Sequence, residues 1–136
     1  MNTKFRFVIS TLFLIGASFF ISAPDASAAT LSSGPVFGGI SPIHAVCYIF
    51  NARTEPITFV SREIHSHLGG DLGPPVADDC GTTLAAGGIC AVANDISARP
   101  LQAYSCKVVI VGSKANVRGT MELRGSSGTV ENSDLR

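Results

Sequence analysis

Apolar and polar positions along this chain fall into short runs of period two, broken by clusters of glycine and proline. His44-Ala45-Val46-Cys47-Tyr48-Ile49-Phe50-Asn51 is apolar on both alternating faces. Val46, Tyr48 and Phe50 lie on one, and Ala45, Cys47 and Ile49 on the other. β-branched and aromatic residues at this density predict a strand rather than a helix. Apolar residues on both faces predict a central strand whose second side is also covered. A polar turn with Pro56 follows, then a strand over residues 57–67. There Thr58, Val60, Arg62 and Ile64 alternate against Ile57, Phe59, Ser61, Glu63 and His65. Gly69-Gly70, Gly73-Pro74-Pro75 and Asp78-Asp79 then make a long loop, because glycine and proline at that density exclude regular structure. Further strands are predicted over residues 89–96, 101–111 and 115–124. In the second of these Tyr104, Cys106, Val108 and Ile110 share a face. In the third Val117, Met121 and Leu123 face in, and Arg118, Thr120, Glu122 and Arg124 face out. About six short strands with no helix of useful length predict an all-β fold, a small antiparallel sandwich.

The two ends of the chain read differently. Lys4 and Arg6 precede an apolar stretch over residues 7–21, Pro24 breaks it, and Ala26-Ser27-Ala28 is a small-x-small cleavage site. That is the pattern of a signal peptide over residues 1–28, and its apolar core is shorter than the roughly 20 residues of a spanning helix. Export to the periplasm or the extracellular space is the expectation, with no integral membrane segment after cleavage. Residues 29–43 are rich in glycine, proline and serine and read as a flexible lead-in, with one short edge strand at Val36-Phe37. Residues 44–124 form the sandwich domain. Residues 125–136 read as a polar, disordered tail.

The chain carries 10 basic and 10 acidic residues. The leader removes only Lys4, Arg6 and Asp25 from that balance. A near-neutral domain without a basic run argues against nucleic acid or an anionic membrane as partner. All four cysteines, Cys47, Cys80, Cys90 and Cys106, follow the leader, and an even count in an exported chain predicts two bridges. Three pairings exist. Cys80–Cys90 with Cys47–Cys106 is favoured, because the first closes a loop around Gly87-Gly88 and the second joins two apolar strands distant in sequence. Glycine admits positive φ at that turn at little steric cost.

Several of these residues also carry a resemblance. Asn51 after an apolar strand, Pro56-Ile57-Thr58, Cys80-x-x-x-Leu84-x-x-Gly87-x-x-Cys90-x-Val92 and Val117-Arg118-Gly119-Thr120 resemble immunoglobulin-like β-sandwich modules of the ASPM/SPD-2/Hydin type in bacterial secreted proteins. The likeness covers residues 44–124. It implies an immunoglobulin-like sandwich that serves as a binding or spacer module, and it implies no active-site residues. The chain departs from the pattern after Cys90, where Asn94-Asp95-Ile96 replaces the usual Phe-x-Pro, and in having Cys47 and Cys106 as well.

Candidate chemistry is sparse. His65 and His67 have a metal-ligand spacing, with His44 or Asp71 as further donors, but two ligands do not complete a tetrahedral site. Asp71, Asp78 and Asp79 share a loop without the spacing of a calcium-binding EF-hand, and turn roles account for them. Gly125-Ser126-Ser127-Gly128 is not a nucleophile elbow. Oxidised cysteines supply no thiolate, and no glycine-rich phosphate loop or other cofactor motif is present. The expectation is a non-enzymatic, cofactor-free module that meets a protein or cell-surface partner through a sheet face or edge strand, with Val46, Tyr48 and Phe50 as the candidate surface. A metal-binding protein built on His65 and His67 is the second reading and a hydrolase the third.

Overall fold

The computed structural model describes residues 27–126 and 128–136; the remainder of the predicted leader, residues 1–26, lies outside the described residues. In chain order the strands are β1 (Ala28–Ser32), β2 (Val36–Phe37), β3 (His44–Asn51), β4 (Ile57–Ser66), β5 (Gly70–Asp71), β6 (Ala77–Asp78), β7 (Thr83–Leu84), β8 (Ile89–Asp95), β9 (Ala103–Val111), β10 (Val117–Gly125) and β11 (Gly128–Asp134). One antiparallel sheet runs β1-β9-β4-β5, with β2 also on β9 and β7 also on β4. The other runs β11-β10-β3-β8-β6. No described residue is helical. The fold is the all-β, disulfide-stapled sandwich that the alternation predicts, with more strands than the six expected. No helix among the described residues is long and apolar enough to cross a membrane.

The core lies between the sheets and follows the period of two. β3 contributes Ala45, Cys47 and Ile49, β8 contributes Cys90 and Val92, β9 contributes Tyr104, Cys106, Val108 and Ile110, and β10 contributes Val117, Met121 and Leu123. β4 departs from simple alternation. Its pairing with β9 skips Val60, since Phe59 lies opposite Ile110 and Ser61 opposite Val109. This bulge shifts the phase by one residue. Ile57, Phe59 and Ile64, which strict alternation puts on opposite faces, are therefore all buried, and Val60 is 60 % exposed.

Both disulfides are the favoured ones. Cys47–Cys106 joins β3 to β9 across the two sheets, and Cys80–Cys90 closes the loop before β8. Within that loop Gly87 takes a φ of 69°. Gly88 has a different reason to be glycine: a Cβ there would lie 2.9 Å from Leu84 Cδ1 and 3.0 Å from the Ala85 carbonyl oxygen.

Three expectations are corrected. The glycine- and proline-rich stretch over residues 69–79 is not without regular structure: Gly70–Asp71 pairs with β4 and Ala77–Asp78 with β8 as two-residue strands. The lead-in over residues 29–43 is not a loose segment: β1 and β2 both pair with β9, and Leu31 and Val36 are buried. The polar tail is not disordered: residues 128–134 pair with β10 as β11, and Leu135 beyond it is buried. Backbone pairing needs few apolar side chains, so a single buried leucine at each end of the chain anchors a strand of mostly small or polar residues. The same segments tie the sheets together on one side. Ser32 N donates to Arg136 O at 3.1 Å, Arg136 N to Ser32 O at 3.0 Å, and Leu135 N to Gly119 O at 2.8 Å. On the other side the chain passes from β5 to β6 to β7, changing sheets twice, and Arg62 of β4 meets Asp78 of β6 at 2.7 Å.

Candidate functional site

The outer face of the five-stranded sheet is set by the phase of β3. Because Ala45, Cys47, Ile49 and Asn51 face the core, Val46, Tyr48 and Phe50 face outward. The structure divides this predicted trio. Val46, opposite Ala93 of β8 and Glu122 of β10, is only 6 % exposed and offers nothing to a partner. Tyr48 is half-buried. Its ring lies 5.4 Å from the Arg124 guanidinium, which also donates a hydrogen bond to its hydroxyl. Phe50 is exposed and stands directly opposite Ile89, which is 68 % exposed. Together with Arg118, Thr120 and Glu122 these side chains border a shallow groove of about 380 Å³.

Ile89 opens the strand predicted over residues 89–96. Its true direction follows from its neighbours: Cys90, Val92 and Asn94 are buried, so Ile89, Ala91 and Ala93 must point outward. The disulfide at Cys90 was the signal that fixes this phase. Ala91 and Ala93 are small, which leaves the floor beside Tyr48 low. Other exposed apolar residues, Phe37, Ile40, Leu68 and Leu101, lie on or beside segments that hydrogen-bond to one another and to the start of β9, through Gly38 N to Gln102 O, Leu101 N to Gly39 O and His67 N to Ala103 O.

The three histidines are not brought together. His65 Nε2 lies 2.9 Å from Glu63 Oε2 on β4. His67, beyond the end of that strand, accepts a hydrogen bond from Ala103 N at its Nδ1, 3.0 Å away. His44 is on β3 of the other sheet, opposite Asp95. Asp71 pairs with His65 across β4 and β5, but its carboxylate accepts from Gly73 N at 3.1 Å. Asp78 and Asp79 are likewise engaged, accepting from Cys80 N at 2.9 Å and from Ala91 N at 2.5 Å. Among the described residues the one trio with metal-compatible spacing is Asp79, Cys80 and Cys90, and both sulfurs are joined to each other.

Ser61, Glu63 and His65 alternate on β4 in a way that invites comparison with a hydrolase triad. The connectivity is wrong for one. Both Ser61 and His65 hydrogen-bond to Glu63, which holds its carboxyl below the usual range, with Lys107 at 3.3 Å adding to the effect. A triad needs the hydroxyl on the imidazole and the carboxylate behind it. Here the carboxylate stands between them.

Comparison with protein-family models, with curated proteins and with solved structures finds no match.

Proposed function

We propose that this chain is an exported, non-enzymatic binding module of the immunoglobulin-like kind, which meets a protein partner through the outer face of its five-stranded sheet. The observation that carries the reading is the cross-strand pair of Phe50 and Ile89, exposed side by side at the border of a groove and next to a half-buried tyrosine. A solvated sheet face ordinarily reads polar. Contiguous apolar side chains rimmed by charged ones, here Arg118, Glu122 and Arg124, are the anatomy of an interface. Tyr48 suits such a place, since its ring is held in position by Arg124. Export rests on the leader pattern at residues 1–28 and fits the two disulfides, which persist in oxidising compartments.

The test is the double variant Phe50→Ser, Ile89→Ser beside a photo-crosslinking amino acid placed at Phe50. Both residues face solvent, so the double variant should keep its melting temperature. The crosslinker should join the wild-type protein to one saturable protein partner, and the double variant should compete for that partner poorly. A double variant that unfolds, or one that competes as well as wild type, would show that this pair is not the contact surface.

A further inference from the structure

A second groove, of about 550 Å³, opens on the side where the two sheets are joined by the end of the chain. Its floor is apolar: Leu31 from β1, Val117 from β10 and Leu135, with Ala115 of the β9–β10 loop as an end wall. Leu135 can sit there because position 119 is glycine. A Cβ on Gly119 would lie 3.1 Å from Leu135 Cδ2 and 2.4 Å from the Tyr48 carbonyl oxygen. The rim is cationic. Lys114, Arg118 and Arg136 line it, against the Asp134 side chain and the main-chain carboxylate that Arg136 itself carries. None of these four side chains is in an ion pair among the described residues. Arg118 Nη1 donates only to the neighbouring Val117 carbonyl, at 3.1 Å. Elsewhere among the described residues Arg53, Arg62, Lys107 and Arg124 each have a carboxylate, and Arg99 does not.

We propose that this groove binds a free alkyl carboxylate, with its chain along Leu31, Val117 and Leu135 and its head between Lys114, Arg118 and Arg136. The volume lies within the range of small-molecule sites, and such sites combine an apolar lining with a few polar groups that fix orientation. The excess of cations over carboxylates at the rim selects an anionic head. The apolar floor distinguishes an amphiphile from a simple anion, which gains nothing from burying hydrocarbon.

The experiment is an amide chemical-shift titration of the protein with decanoate below its micelle concentration, alongside decanol and acetate. Decanoate should give saturable shifts at Ala115, Gly119 and Leu135. Decanol, with the chain but not the charge, should bind about tenfold more weakly, and acetate should shift none of them. The variant Lys114→Glu, Arg136→Glu leaves Arg118 untouched, because Arg118 also borders the Phe50 groove. It should weaken decanoate about tenfold. Ala115→Trp, at an exposed turn position, should block the groove without entering the core. Equal binding of decanol and decanoate, no saturable shift, undiminished binding by the charge-reversed variant, or shifts at Phe50 and Ile89 instead would each overturn the proposal. A response to acidic peptides alone would also overturn it and would assign the cationic rim to a protein contact.

Discussion

Asn51 closes β3 with its side chain turned fully into the protein, and almost every polar atom it has is in use. Its Nδ2 donates to the carbonyls of Glu55 at 2.8 Å, Leu84 at 3.2 Å and Ala85 at 3.0 Å, and its Oδ1 accepts from Arg53 N at 3.1 Å. Its backbone completes the contact, accepting from Gly87 N and donating to Gly88 O. One amide thus fastens the Gly-Gly turn, and through it the Cys80–Cys90 loop, to the central strand. Alanine at position 51 leaves those carbonyls dry and unpaired, and the expected cost is about 2–3 kcal/mol, measured as a shift in the urea midpoint at unchanged slope. A loss under about 0.5 kcal/mol would mean that water replaces the amide there. The residue type was visible at the end of an apolar run, but its role depends on a loop more than thirty positions away. Contacts of that kind are set by the folded path of the chain, and no local pattern announces them. The histidines show the converse, since His65 and His67 have a ligand spacing, yet β4 ends between them at Ser66 and one ring nitrogen of each has a partner of its own, Glu63 for His65 and Ala103 N for His67.

Among the elements, what was legible is what packs through side chains. β3 and β2 occupy their predicted residues, and β4, β8, β9 and β10 differ from prediction by a residue or two at their ends. Each buries a row of apolar side chains, and the period of two records that burial. β1 and β11 were not legible, because a backbone ladder to a single neighbour holds them. Thr-Leu-Ser and Glu-Asn-Ser satisfy a ladder as well as valines would. The bulge at Val60 was hidden for a related reason, since both phases of the 57–67 alternation contain apolar residues. The disulfides join elements of different standing, and their removal separates the two kinds of closure. Cys47–Cys106 spans 59 positions and ties the sheets, whereas Cys80–Cys90 spans 10. Constraint of the unfolded chain predicts a loss of about 4 kcal/mol for replacing the first pair by alanine and about 3 kcal/mol for the second. Thermal unfolding of the two double variants checks the order. A larger loss from the shorter loop would place the stabilisation in native contacts around Asn51.

For the molecule as a whole, closure on both sides is the feature that distinguishes this sandwich from two stacked sheets. Ser32 with Arg136 seals one side, and the alternating passage of β5, β6 and β7 covers the other. The candidate surfaces lie on a face and in a groove; of the strand edges, also a candidate from the sequence, β5 and β6 have 2 residues each, β1 has 5 and β11 has 7. The topology has a consequence in time. β1, β2 and β4 all pair with β9, and β3 needs β10 on one flank. Cys47 waits for Cys106. A chain made from its N-terminus thus carries its first strands for most of its length before their partners exist. Pairings so distant in sequence form slowly. A chain ended at Pro100 retains β3 and β8 but lacks Tyr104, Val108, Ile110, Met121 and Leu123 from the core. It should show the narrow amide dispersion of an unfolded chain, and a dispersed spectrum would refute this order of assembly. On this order of assembly the domain would lack its packed core until its last quarter emerges, and a chain without a packed core is the form in which a polypeptide is threaded through a narrow channel.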